Sequence, residues 1–154
     1  MSYQNIIVAV DNDESNEQIC ERAYALAKGL GAQLNLIFVQ EPLPPLASTG
    51  AVGGVPFPLE TGDEEYQETL KNAKETLAEL AERYNDVVNY HKVIEAMGTP
   101  DALHAEANQS KADLIVAGSH GRHGLSLLFH GSTTNALLHD APCDVLAVRI
   151  AEAA

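Results

Sequence analysis

The sequence contains no tryptophan, and its nine lysine and arginine residues are far outnumbered by 22 aspartates and glutamates. The formal net charge is therefore -13. This scarcity of basic residues argues against a nucleic-acid-binding surface, because contact with a phosphate backbone needs clustered lysine and arginine. We therefore expect no nucleic acid among the partners of this protein.

Long apolar segments and paired cysteines are also missing. No apolar run approaches the length needed to cross a bilayer, and Met1 to Asn5 lacks the charged and apolar regions of a secretory signal. The sequence thus predicts a cytoplasmic protein without membrane insertion. Cys20 and Cys143 have no CxxC motif or Cys/His cluster around them, and we interpret both as small buried hydrophobic residues.

Apolar runs alternate with segments of helical periodicity along the chain. With 154 residues and 45% hydrophobic content, the chain suits a single domain spanning residues 1–154. Five strands are predicted. Four are apolar runs, over Ile6–Val10, Leu34–Val39, Asp113–Ala117 and Cys143–Val148, and the other, Val87–Ile94, has a mixed pattern. Helices are predicted over Ser15–Leu30, Asp63–Tyr84, Asp101–Ser110 and Ser132–His139. This alternation predicts an α/β fold, an open parallel sheet with helices on both faces.

The segment from Pro42 to Gly62 interrupts this alternation. It holds five of the seven prolines, together with four glycines. This composition predicts a mobile surface loop. Loops of this length often cover a site, and simple disorder explains the composition equally well.

A glycine pattern after the fourth predicted strand is the main indication of function. Gly118-Ser-His-Gly121 follows the strand, and Gly131-Ser132-Thr133 comes after nine further residues. Glycines after a strand let the backbone approach a ligand closely, and the later Gly-Ser-Thr can open a helix whose free N–H groups favour an anion. The alternative is that these glycines only form a tight turn. At a net charge of -13, a phosphate-bearing ligand would need local N–H donors and a divalent cation.

The residues of this glycine-containing segment do not match the common zinc, hydrolase or P-loop motifs. His120, His123 and His130 do not have the spacing of a regular zinc site, although a histidine near phosphate would make binding depend on pH. No Gly-x-Ser-x-Gly elbow surrounds the serines of the segment, and a Walker-type Gly-Lys-Ser/Thr is absent. Neither a hydrolase triad nor a P-loop is therefore expected.

Four segments of the sequence together resemble the universal stress protein family over essentially the whole chain. They are Ile7–Asp11, Gly98–Pro100, Asp113–Gly121 and Gly131–Thr133. Gly118, Gly121, Gly131 and Ser132 meet the glycine pattern of the nucleotide-binding branch. The resemblance implies a Rossmann-like sheet of strand order 3-2-1-4-5 and a homodimer built by antiparallel pairing of the last strands. It also implies a pocket for ATP, with magnesium, at the carboxyl ends of the strands beside the switch in strand order.

The resemblance assigns the strand ends to the nucleoside. Asp11 would contact the ribose or nearby polar groups, Ala9 and Val10 would lie under the nucleoside, and Val39 would contact adenine. Asp11 could instead cap the following helix or bind the backbone of residues 12–15, and these roles are compatible.

The resemblance assigns the glycine pattern to the phosphates. The residues expected to approach or bind ribose and phosphate are Gly118, Gly121, Arg122, Gly131, Ser132 and Thr133. The acids of Asn12-Asp13-Glu14 depart from the family, where small or neutral residues are frequent, and would either weaken anion binding or help to hold a metal ion. Thr133 stands where an aliphatic residue is frequent.

These features predict a dimeric ATP-binding stress-response protein that acts as a sensor or binding module. Nucleotide occupancy would order the Pro42–Gly62 segment or the Arg122–His130 segment and so change a partner surface. Dedicated catalysis is not expected, with slow ATP hydrolysis or autophosphorylation as the most that the resemblance allows. The alternatives are a dimeric interaction protein that binds no nucleotide and an enzyme related by fold to ATP-using ligases. No protein partner can be named from the sequence.

Overall fold

The computed structural model describes residues 2–11, 14–42, 51–52, 55–56, 61–118 and 137–149. Its strands are β1 (Asn5–Val10), β2 (Gln33–Gln40), β3 (Ala51–Val52), β4 (Val55–Pro56), β5 (Val88–Glu95), β6 (Leu114–Gly118) and β7 (Asp144–Val148). Its helices are α1 (Asn16–Leu30), α2 (Thr61–Arg83) and α3 (Thr99–Ser110). The five predicted strands are confirmed to within one residue at each end, and three predicted helices to within two. Of the fourth predicted helix, residues 137–139 are described: Leu137 and Leu138 are helical, and His139 lies in a turn.

The five long strands form one parallel sheet in the order β5-β2-β1-β6-β7. Counted among these five strands alone, this is the expected order 3-2-1-4-5, so the fold prediction is confirmed. β1 lies at the centre, and its residues Ile6, Ile7 and Val8 are fully buried. A continuous apolar run fits this place because both faces of a central parallel strand are covered by helices.

Two hydrophobic clusters show how the helices cover the sheet. On the first face, α1 and α2 pack through Ile19, Ala23 and Leu77 against alternate residues of β1, β2 and β6. On the second face, α3 packs through Leu103 and Ala107. The sheet is therefore covered on both sides, and its strand ends are left as the edges where a ligand can approach.

The Pro42–Gly62 segment contains secondary structure that the sequence prediction missed. β3 and β4 pair antiparallel, with Val52 opposite Val55, and α2 already begins at Thr61. Residues 51–52, 55–56 and 61–62 of the predicted loop therefore have regular secondary structure. A Gly-Gly pair between two β-branched residues is a recognised hairpin signal. Whether the remainder of the segment is mobile lies outside the described residues.

A buried asparagine joins three strands at the amino edge of the sheet. Asn35 in β2 is fully buried, and its amide nitrogen donates to the side-chain oxygen of Asn5 and, at 3.3 Å, to the carbonyl of Ile6. Its oxygen accepts a 3.3 Å hydrogen bond from Asn89 in β5. Because a buried amide is costly without partners, these contacts stabilise one register of the three strands.

A buried carboxylate attaches α3 to β5. Glu106 is 5% exposed, accepts a 2.5 Å hydrogen bond from the Tyr90 hydroxyl and lies 2.6 Å from the Lys92 ammonium. Burial, followed by the hydrogen bond to Glu106, raises the pKa of Tyr90 from its ordinary 10.0 to about 12. The neutral phenol is thus the form that the folded protein favours.

This raised pKa predicts a loss of stability at alkaline pH. The unfolded phenol ionises near pH 10 and the folded one near 12, so the contribution is complete below pH 10 and lost as the pH rises to about 12. After allowance for solvent screening of this partly exposed group, we expect a loss of about 1 kcal/mol. Urea unfolding of the unmodified protein and of Tyr90→Phe from pH 8 to 11.5 measures it. Burial also raises the pKa of the Cys20 thiol to about 12, but this thiol is present in both proteins, so its effect cancels in the comparison. The prediction is refuted if the free energies of unfolding of the two proteins change with pH in parallel.

Candidate functional site

The carboxyl ends of β1, β2 and β6 meet at one edge of the sheet, because the three strands are parallel. From β1 the chain passes through α1 to β2 on one side, whereas β6 lies on the other side and is reached later through α3. The strand order therefore reverses between β1 and β6. In open α/β sheets, ligands bind in the crevice outside the strand ends at such a switch point.

Strand register brings the described candidate residues to this edge. Val10 pairs with Phe38, so Val39 lies one residue further along β2. Val8 pairs with Val116, which places Val10 level with Gly118, two residues beyond that pair. The predicted residues Ala9, Val10, Asp11, Val39 and Gly118 therefore lie at the same edge.

Apolar residues at the strand ends, here called the strand-end floor, lie on both faces of the sheet at this edge. Val10 is 6% exposed and belongs to the first-face cluster, while Ala9 and Val39 are partly buried and pack against the second-face cluster. Gly118, buried at the end of β6, adds no side chain. Asp11 follows β1 and is partly exposed. A flat apolar group with a hydrogen-bond donor would match this combination of surfaces.

Asn16, the first residue of α1, was not among the predicted site residues. Its side-chain oxygen accepts a 2.9 Å hydrogen bond from the Asp11 backbone N–H, and its amide nitrogen donates to the Asp11 carbonyl. Asn16 is 6% exposed. The Asp11 backbone is thus linked to the start of α1 by the side chain of the first helical residue.

The turn between β5 and α3 lies at the same edge of the sheet. Gly98 has φ 90° and ψ 98°, in the left-handed region that favours glycine. The Ala96 N–H donates to the Gln40 carbonyl at 3.1 Å, which continues the contact between β5 and β2 to this edge. The Gly98-Thr-Pro100 motif therefore begins α3 beside the strand ends, with Pro100 in its first turn.

Several predicted residues lie outside the described part of the chain. They are Gly121, Arg122, Gly131, Ser132 and Thr133, and the same holds for His120, His123 and His130. Among the described residues, no group of three or more histidine, cysteine, aspartate or glutamate side chains is placed to hold a metal ion. Within that same part, no helix has the length and apolar character needed to cross a bilayer.

Comparison with known proteins gives a consistent family match. The sequence profile of the Universal stress protein family matches residues 2–149. "Universal stress protein A homolog 2" of Coxiella burnetii is 38% identical over 150 residues, which cover 97% of either chain. UspA from Lactobacillus plantarum superimposes with a TM-score of 0.71 at 20% identity, covering 97% of this chain and 99% of the other.

Two similar folds have been solved with adenine nucleotides. A universal stress protein in complex with cAMP has a TM-score of 0.65 at 21% identity over 96% of this chain and 98% of its own. The universal stress protein from Archaeoglobus fulgidus in complex with dAMP has a TM-score of 0.56 at 22% identity over 96% and 99%. At these identities, the likeness establishes the shared fold.

Proposed function

The chain belongs to the universal stress protein family, and from this membership we propose that it binds ATP, with magnesium, at the carboxyl edge of β1, β2 and β6. In this proposal the protein is a cytoplasmic, single-domain, dimeric sensor or binding module of the stress response. The observation that carries it is the meeting of the apolar strand ends, Asp11 and Gly118 at the switch in strand order.

The described surface fits an adenine nucleoside. Ala9 and Val39 of the strand-end floor lie on one face of the sheet and would contact the nucleoside, with Val10 buried on the other face. Asp11 would accept a hydrogen bond from the sugar or base. Gly118 would allow the backbone to approach closely. The complexes of two similar folds with cAMP and dAMP support an adenine nucleotide as the ligand class.

The phosphates are assigned to the residues that complete the glycine pattern. These are Gly121, Arg122, Gly131, Ser132 and Thr133. The net charge of -13 opposes a polyanion at long range, so we propose that ATP enters as its magnesium complex. The proposed sensing step, in which occupancy orders segment 42–62 or 122–130, concerns mostly residues outside the described ones.

Dimer formation is proposed at β7, an edge strand of the sheet. Its Leu146 is 41% exposed, and the adjacent Ala147 is exposed as well. An apolar edge strand with unpaired backbone groups is a ready surface for pairing with a second strand. Antiparallel pairing of two copies of β7 would close the assembly with two-fold symmetry.

Calorimetric titration of nucleotide-stripped protein with ATP, with and without magnesium, tests the proposed function. We expect saturable binding of one ATP per chain, stronger with magnesium. Adenosine and inorganic triphosphate are titrated separately, because adenosine tests the strand-end floor and triphosphate tests the glycine segment. GTP serves as the control for the base. The proposed function is wrong if ATP shows no saturable heat under either condition.

A further inference from the structure

Asn16 and Asp11 form a reciprocal contact that fixes the backbone at the end of β1. The Asp11 N–H donates to the side-chain oxygen of Asn16 at 2.9 Å, and the Asn16 amide nitrogen donates to the Asp11 carbonyl. One carboxamide thus pairs with both polar backbone groups of a single residue. Because Asn16 is only 6% exposed, solvent competes little for these two bonds.

This contact limits which part of Asp11 can recognise a ligand. Its backbone N–H, which would be the natural donor to a phosphate oxygen, already donates to Asn16. The carboxylate can only accept hydrogen bonds, and it repels a phosphate of like charge. At Asp11, the favoured ligand group is therefore a donor, such as a sugar hydroxyl or a base amine.

We propose that Asn16 is a positioning residue: it holds the Asp11 backbone so that the carboxylate meets a donor of the nucleoside, and it sets nucleotide affinity without contacting the ligand. The inference rests on the proposed function, which it deepens. Because Asp11 is already ordered in the folded protein, ligand binding does not have to supply the conformational entropy of ordering it.

A double-mutant cycle tests this role. ATP affinity is measured by calorimetry for the unmodified protein, Asn16→Ala, Asp11→Ala and the double variant. We expect Asn16→Ala to weaken binding about tenfold and Asp11→Ala about tenfold or more. If Asn16 acts through Asp11, the Asn16→Ala change costs less than about twofold once the carboxylate is gone. Asn16→Ser, whose hydroxyl is too short to make both bonds, replaces the alanine variant if that one does not fold.

Asn35→Ala is the matched control. Asn35 is also a buried asparagine that bridges backbone and side chains, but it lies towards the amino edge of the sheet, away from the strand ends. We expect this change to lower the free energy of unfolding while ATP affinity stays within about twofold of the unmodified value. All titrations are run well below the unfolding midpoint of each variant, so that folded protein is compared with folded protein.

The outcomes separate the two proposals. Suppose that the unmodified protein binds ATP. The positioning role is refuted, and the proposed function stands, if Asn16→Ala binds ATP equally well. The same holds if the Asn16→Ala change lowers ATP affinity by the same factor with and without the Asp11 carboxylate. A loss in Asn35→Ala equal to that in Asn16→Ala would show that affinity follows stability, which also refutes it. Absence of ATP binding by the unmodified protein would overturn the proposed function and this role together.

Discussion

Replacement of Gly118 by valine is expected to weaken ATP binding at least about 100-fold while β6 stays in the sheet. A loss of this size corresponds to about 2.7 kcal/mol of binding free energy. Gly118 ends β6, pairs with Val148 and lies level with Val10 at the end of β1. Valine adds a branched side chain where the proposed ligand must approach the backbone closely. Its β-branched shape is well suited to a strand, so the pairing with Val148 should persist.

Calorimetry with magnesium-ATP measures the loss of affinity. Gly118→Ala adds a smaller side chain than valine, so its loss of affinity should be intermediate. Overpacking of a buried position costs typically about 1–3 kcal/mol of stability, so urea unfolding is measured in parallel. Gly29→Ala is the control. An added Cβ at Gly29 meets no atom within 4 Å, and Gly29 lies near the end of α1, towards the amino ends of the strands. We expect unchanged affinity in the control. An unchanged affinity in Gly118→Val would refute the need for close backbone approach at this position.

The layered architecture could be predicted because its signals are local. A central strand covered on both faces is predicted by the continuous apolar run from Ile6 to Val10, and α1 by helical spacing up to Gly31. Alternation of these elements specifies a parallel sheet with helices on both faces. The strand order had to come from the family resemblance, since spacing along the chain does not say on which side of β1 a later strand pairs.

The polar contacts between strands and helices could not be predicted when they join residues far apart in sequence. Asn35 is visible as a polar residue in an apolar run, but its partners follow only from the register that brings Asn5 and Asn89 beside it. Glu106 looks like part of a solvated helix face, yet it is buried against Tyr90 and Lys92. Asn16 had a local signal, a short polar amide near a helix start, where such side chains commonly bind nearby backbone.

Of the candidate site, the strand ends could be predicted and the supporting contact could not. Ala9, Val10, Val39 and Gly118 were named from motif positions, and parallel pairing brings them to one edge. The reciprocal bonds of Asn16 depend on the path of the chain from residue 11 to residue 16, which no periodicity specifies. Side chains that shape a site without facing the ligand are therefore the part that required coordinates.

The two outer strands of the sheet, β5 and β7, differ in a way that makes β7 the expected dimer surface. The opposite edge strand, β5, carries the charged or titratable side chains His91, Lys92 and Glu95, which oppose pairing with another chain. In β7, the only charged residue is Asp144 at its start, and the apolar Leu146 is 41% exposed. A groove of about 550 Å³ lies between α1 and this strand, lined partly by Leu26 and Leu146.

Replacement of Leu146 by lysine is therefore expected to convert the proposed dimer to a monomer. Leu146 is the middle residue of β7, so antiparallel pairing about a two-fold axis would bring the two copies of this position close together. Two lysines placed there repel each other and lose the apolar contact, which together should weaken association at least about 100-fold. Sedimentation at about 10 µM then reports the mass of one chain, 16.5 kDa, where the unmodified protein reports twice that value.

The control for this change is Leu30→Lys. Leu30 has a similar exposure, 37%, but it ends α1 at the amino ends of the strands, just before β2 begins, and it is not part of β7. The dimer should therefore survive the same change in charge. Each chain carries a net charge of -13, and the two copies therefore repel at long range. Added salt screens this repulsion, so the unmodified dimer should tighten between 20 and about 200 mM salt if apolar pairing holds it. A monomeric unmodified protein at both salt concentrations would refute the proposed dimer, and a dimeric Leu146→Lys variant would place the interface elsewhere than β7.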